Sequence, residues 1–157
     1  MTDGQPRTRE QRRADTLAKL SAPAADVWVA TAAADAGGHP SAYLVPLSLA
    51  WLDERVVLAT EANSVTARNI ISARRARLGL GPTRDVVMID ADLEQVYSLD
   101  EVPADLAQGY ARQADWDPRE SDGQMRFLVL RPRRIQAWRE ADELPGRTLM
   151  RDGEWIT

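Results

Sequence analysis

A chain of 157 residues with a net charge of −4 and a pI near 5.1 fits one domain, able to bury roughly two-thirds of its unfolded surface. It has no cysteine, one histidine (His39) and one lysine (Lys19), which excludes disulfides, thiol catalysis, a two-histidine metal site within one chain, a Walker-type phosphate loop and any lysine Schiff base away from Lys19. The acidic balance argues against the extended basic face that nucleic-acid binding needs, and no run reaches the ~18 apolar residues of a membrane helix.

The first twenty residues form a polar tail running into a short amphipathic helix around Ala14 to Leu20, without the apolar core of a signal peptide, so a cytoplasmic location is expected. Residues 27–32 (VWVATA) read as a strand, Gly37-Gly38 as a hairpin turn, and 41–49 (SAYLVPLSL) as the returning strand. His39, in the Gly-Gly-His-Pro turn, reads as a turn residue rather than a catalytic base. Pro46 interrupts an apolar strand, and since proline cannot donate to a ladder it implies an edge, a bulge or a ligand-facing break. A turn at Asp53-Glu54 leads to a third strand at 55–60, then a helix at about 64–74, a strand at 76–81 and a turn at 82–84. The next strand has the clearest pattern: Val87, Ile89, Ala91 and Leu93 alternate with Asp90, Asp92 and Glu94, one face on the core and one in water. Residues 103–114 read as a helix with Pro103 in its first turn, 116–124 as a polar loop, and 125–131 and 133–139 as two strands interrupted by Pro132. The tail carries Pro145-Gly146-Arg147 and an Asp152-Gly153 turn. Helices and strands do not alternate, so a small antiparallel barrel is expected rather than a parallel sheet.

The segment Thr60–Arg84 reverses the sign of the chain. It carries Arg68, Arg74, Arg75, Arg77 and Arg84, and no acid appears between Glu61 and Asp85. Asn63 and Ser64 are both good N-caps for the helix that follows. A helix start offers unpaired N–H groups and a partial positive charge, and hydroxyls at Ser64 and Thr66 with the Arg68 guanidinium complete a cradle for phosphate. The plain alternative is a capped helix with a solvated arginine face. Other motifs do not hold: Gly79-Leu80-Gly81 lacks the third glycine and the helix of a dinucleotide loop, Asp90–Glu94 lacks the glycine of a calcium loop and is explained by strand alternation, and no G-x-S-x-G elbow occurs. The tryptophans at 28, 51, 116, 138 and 155 are expected mostly as core or dimer-interface anchors. No metal site and no catalytic side chain is identifiable.

The pieces VWVATAAADAGGHPSAYLVPLSLAW, RVVLATEANSVTARNI, ARLGLG and VLRPRRIQAW, in that order and spacing over most of residues 25–140, resemble the pyridoxamine 5′-phosphate oxidase-like split-barrel superfamily, and within it the small actinobacterial members that use FMN or the deazaflavin F-420. The resemblance implies a mainly β fold, a six-stranded antiparallel split β-barrel working as a homodimer with a cofactor site at each end of the interface. The domain would span 25–140, after a polar segment at 1–24 and before a tail at 141–157 that packs on the barrel or on the partner subunit. It places Val45, Pro46, Leu47 and Ser48 against the cofactor ring and Thr60, Ser64, Thr66, Arg68 and Asn69 at its phosphate, with Gly146 and Arg147 approaching from the partner. One departure stands out: the Arg-x-His substrate motif of true pyridoxamine 5′-phosphate oxidases is missing, and the region reads RPRRIQAWRE. The implied function is an F-420- or FMN-dependent oxidoreductase moving hydride to a small organic substrate, with the substrate proton coming from solvent or Tyr43 and with Arg74, Arg75 and Arg77 available to an acidic cofactor tail. A non-catalytic cofactor-storage or sensing protein, and a structural dimer whose basic helix binds an acidic partner, remain as alternatives.

Overall fold

The computed structural model describes residues 4–157. Six strands form a closed antiparallel barrel: β1 (Asp26–Ala34), β2 (Pro40–Leu52), β3 (Arg55–Glu61), β4 (Arg75–Leu80), β5 (Val86–Ser98) and β6 (Met125–Trp138). They run in the order β3-β2-β1-β4-β5-β6, and β6 returns to pair with β3. The mainly β, six-stranded antiparallel barrel expected from the sequence is therefore present. Three α-helices, α1 (Arg9–Ser21), α2 (Val65–Ala73) and α3 (Ala104–Ala114), decorate it, and the tail adds β7 (Thr148–Arg151) and β8 (Glu154–Trp155) to the edge of β6.

The period of two sorts the side chains. Val27 and Val29 of β1, Val56 and Leu58 of β3, Leu78 and Leu80 of β4, Val87 and Ile89 of β5, and Leu128 and Leu130 of β6 point inward and form the barrel core. The alternate residues Ala50, Val57, Ala59, Phe127 and Val129 point outward into a second core under α3. There Tyr110 stacks edge-on against Phe127 at 5.6 Å and Trp116 at 5.8 Å. Burying a side chain of this size is worth roughly 1.5–3 kcal/mol. Gly109 sits in α3 despite its helix cost because a Cβ there would lie 3.1 Å from Leu52.

Several local expectations change. α1 starts at Arg9, earlier than its apolar pattern, because Thr8 and Gln11 form a capping box: Gln11 N–H donates to Thr8 Oγ1 at 3.1 Å and Thr8 N–H to Gln11 Oε1 at 2.8 Å. Residues 125–138 are one strand rather than two: Pro132 pairs with Ala91 beside a bulge whose extra residue is Arg133, a place where a strand tolerates proline. Pro46 stays in register opposite Trp28, on a length of β2 that pairs with β1 alone, because β3 pairs only from Leu49 onward. The unbroken register removes the bulge reading of that proline, and the single neighbour makes this length of β2 an edge. The tryptophans divide: Trp51 and Trp155 are half-buried and pack against the barrel core, Trp138 is half-buried, and Trp28 and Trp116 are 52% and 37% exposed.

Candidate cofactor site at one barrel mouth

The inward rows change character at one end of the barrel. On β1 the row Val27–Val29 ends in Thr31, on β3 Val56–Leu58 ends in Thr60, and on β6 Leu130–Leu128 ends in Arg126, which faces Thr60 on one side and Ser98 of β5 on the other. α2 lies across this mouth. Its Ala67 and Ile70 are fully buried, as are Thr66 (2% exposed) and Asn69 (8%).

Ser64 is the N-cap, the second of the two candidates. Its Oγ accepts the Ala67 N–H at 3.1 Å and lies 3.4 Å from Thr60 Oγ1. Helix geometry leaves the N–H groups of Val65 and Thr66 without an intrahelical acceptor, directed past the N-terminus. Arg68 is exposed and has no hydrogen-bonding or ion-pair partner among the described residues. Asn69 points inward, where Nδ2 donates to Thr31 Oγ1 at 3.1 Å. Thr60, Ser64 and Arg68 thus gather at the helix start, while Asn69 braces α2 against β1. Thr31 was not singled out from the sequence, although a polar residue on the inward period of an otherwise apolar strand was its signal.

The ring-contact residues lie on β2, where Thr31 faces Tyr43 and Pro46–Ser48 follow three to five residues further along; the next residue, Leu49, faces Leu58 of β3, two positions before Thr60. Val45 and Leu47 face inward, opposite Val29 and Val27, and pack on the core. Pro46 points outward beside Trp28, and the Ser48 carbonyl accepts the Tyr110 hydroxyl at 3.4 Å. On the same outer face an apolar cleft of about 440 Å³ is lined by Trp28, Leu44, Gly79, Val86, Met88 and Trp138. Leu44 is 59% exposed and Tyr43 40%. A second groove of about 510 Å³ adjoins it, floored by Ala30, Ala32 and Ala42 and edged by Arg75, Arg77 and Arg133.

The arginine run divides by role. Arg74 is the left-handed C-cap of α2 (φ 62) and donates to the Leu93 carbonyl at 3.4 Å, and Arg77 approaches Asp90 at 3.5 Å. Arg75 has no partner among the described residues. Asp92 and Glu94 pair with Arg133 and Arg55, as expected of a solvated strand face. Arg147 stacks over Trp138 at 5.9 Å, beside the apolar cleft, and Gly146 occupies a left-handed turn (φ 71). His39 sits in the exposed β1–β2 turn, where Asp35 Oδ1 accepts the Gly37 and His39 N–H groups at 2.9 Å each. Among the described residues no cluster of His, Cys, Asp and Glu suits a metal ion, and no helix is long and apolar enough to cross a membrane.

Solved structures share this architecture. The chain is similar to an F420 reductase at 14% identity with a TM-score of 0.56, over 86% of this chain and 98% of that one. It is similar to a heme binding protein from Mycobacterium smegmatis at 19% identity with a TM-score of 0.59, over 96% of this chain, although it spans only 60% of that protein. A third match is a putative pyridoxamine 5′-phosphate oxidase from Listeria innocua, at 9% identity with a TM-score of 0.53 and covering 84% and 98% of the two chains. No protein-family model and no curated protein sequence matches. By fold the chain is a split barrel of the kind these structures share. The likeness reaches the fold and stops there.

Proposed function

We propose that the protein binds a flavin-type cofactor, FMN or F-420, and works as an oxidoreductase on a small organic substrate. The observation that carries the reading is the start of α2, where the Thr60 and Ser64 hydroxyls, the free N–H groups of Val65 and Thr66, and the unpaired Arg68 converge at a barrel mouth. These groups fit a phosphate: hydroxyls and N–H groups donate, and the guanidinium supplies charge in a planar fork. When bound, the cofactor supplies the hydride chemistry. The chain positions it: Thr60, Ser64 and Arg68 hold the phosphate, and the β2 stretch Val45–Ser48 offers backbone and the Pro46 ring to a flat ligand.

The reading includes a homodimer. Trp28, Leu44 and Pro46 make an exposed apolar outer face of the kind that seeks a partner, and a second copy laid on it would exclude water from the cleft. With Arg74 and Arg77 engaged within the chain, Arg75 alone remains free for an acidic tail, so FMN and F-420 both stay in the proposal. A second reading, a non-catalytic carrier or sensor of the same cofactor, would use the same groups, and only turnover separates it from the enzyme.

Fluorescence titration of cofactor-free protein with FMN and F-420 in parallel tests the proposal. Saturable binding of one is expected, with Arg68→Ala weakening it by about tenfold, the worth of one exposed charged contact. Binding of neither removes the cofactor reading, and unchanged affinity in the variant removes Arg68 from the site. Turnover with reduced cofactor separates the enzyme from the carrier.

A further inference from the structure

We propose that Arg126 is a second cation of the phosphate site, reaching from the barrel wall toward the groups that α2 presents; this rests on the cofactor reading above. Arg126 is the register partner of Thr60, and antiparallel partners share a sheet face with Cβ atoms about 5 Å apart. Thr60 Oγ1 in turn lies 3.4 Å from Ser64 Oγ. The arginine therefore stands beside Thr60 at the mouth, in the row that continues the inward-facing Leu130 and Leu128.

Its own bonding is unfinished. The side chain is half-buried, yet the single hydrogen bond recorded for the guanidinium is from Nη1 to the carbonyl of its neighbour Met125, at 3.1 Å. No carboxylate approaches it within ion-pair distance among the described residues. A guanidinium has five N–H donors, and partial burial without a counter-charge is costly. The acid that feels its charge, Glu101, is turned to Ser98, accepting the Ser98 hydroxyl at 2.7 Å and N–H at 3.3 Å. Spare donors thus lie on the sheet, at Arg126, and on the helix start, at the Val65 and Thr66 N–H groups. Arg68 alone is one charge against the near-dianion of a phosphate monoester, and Arg126 supplies the other through a bidentate fork.

The test compares a cofactor with its phosphate-free core. Wild type, Arg126→Gln and Arg126→Lys are titrated with FMN and riboflavin, or, where wild type prefers F-420, with F-420 and its deazaflavin core lacking phosphate. Arg126→Gln is expected to weaken the phosphorylated ligand by about ten- to a hundredfold, the range for hydrogen bonds to a charged group, and to leave the phosphate-free core unchanged. Arg126→Lys should recover part of the loss and keeps the test open should the glutamine variant fold poorly. Equal affinity of both variants and wild type for the phosphorylated ligand overturns this inference and leaves the cofactor reading standing. Equal losses for the phosphorylated and phosphate-free ligands also overturn it, because the residue would then be structural. Wild type that binds neither cofactor overturns both readings together.

Discussion

The two ends of the barrel are covered by helices that treat charge in opposite ways. At the end where β4 stops and β5 starts, α1 and the tail knot their charges together. Arg7 reaches Glu143 at 2.8 Å, Asp15 at 2.8 Å and Asp85 at 3.4 Å, while Lys19 reaches Asp85 at 3.0 Å. The buried Arg12 donates to the carbonyls of Glu143, Ala137 and Pro145. At the other end, Arg68 and Arg126 have no acid partner among the described residues. A buried charge that finds its counter-charge within the chain serves the fold. A charge held at a mouth without one is available to a ligand, and that contrast is what locates the candidate site.

Breaking the paired end should cost most. Glu143 is 2% exposed, and its hydrogen bonds from Arg7, which outweigh the opposing effect of burial, bring its pKa from the ordinary 4.5 down to about 2. Glu143→Ala leaves Arg7 to Asp15 and Asp85, removes its bidentate acceptor and that of the Arg139 N–H, and is expected to lose about 1.5–3 kcal/mol in denaturant melts, the range for hydrogen bonds to a charged group. The depressed value also sets a pH dependence: the contribution is complete above the unfolded pKa near 4.5 and is lost as pH falls toward 2, on the order of 3 kcal/mol over that window. Asp85, where Lys19, Arg139 and Arg7 overcome a larger burial effect to lower its pKa, adds to the loss in the same direction. Wild-type stability should therefore drop between pH 5 and pH 3, and the drop should shrink in Glu143→Ala. A variant as stable as wild type, with the same acid sensitivity, would show the knot to be decorative.

The outer face sharpens the contrast from the apolar side. The β2–β3–β6 surface is roofed by α3, whereas the outward side of β1 and early β2 leaves Trp28 52% and Leu44 59% exposed. If the proposed homodimer forms through this face, Trp28→Glu is expected to shift it toward monomer in sedimentation, raising its dissociation constant by about a hundredfold, the scale of a truncated interface anchor. Monomer stability should hardly change, since the side chain is already half in water. A variant that sediments with unaltered mass excludes this face from the interface.

What could be read in advance follows from how local each signal is. β5 was legible because its alternation from Val87 to Glu94 reports one dry and one wet face, and α2 because a serine cap precedes an apolar period. The single strand through Pro132 was not, because a bulge that accommodates proline depends on the partner strand. The start of α1 was missed because its capping box is exposed and polar, outside any hydrophobic pattern. At the candidate site, Thr60, Ser64 and Arg68 are near neighbours in sequence, so the helix start groups them. Arg126 is 66 positions from Thr60, and only the register of β3 on β6 brings the two side by side. Asn69 shared the pattern of its neighbours, yet helix phase turns it inward to Thr31.

The smallest effect is the most discriminating. Ser64 serves as a helix cap in this structure and as a phosphate donor in the proposal, and two substitutions separate the roles. Ser64→Ala removes the acceptor for the Ala67 N–H and should cost about 1 kcal/mol of stability. Ser64→Asp keeps an acceptor at that place and puts a negative charge at the positive end of the helix, so it should melt at or slightly above wild type. If α2 opens onto a phosphate, the aspartate occupies the anion's place and repels it, and cofactor affinity should fall further in the stable Asp variant than in the weakened Ala variant. If Ser64 is only a cap, affinity should follow stability and the order should reverse. Melts and titrations on the same two proteins decide between them, because the capping role and the anion role predict opposite rankings.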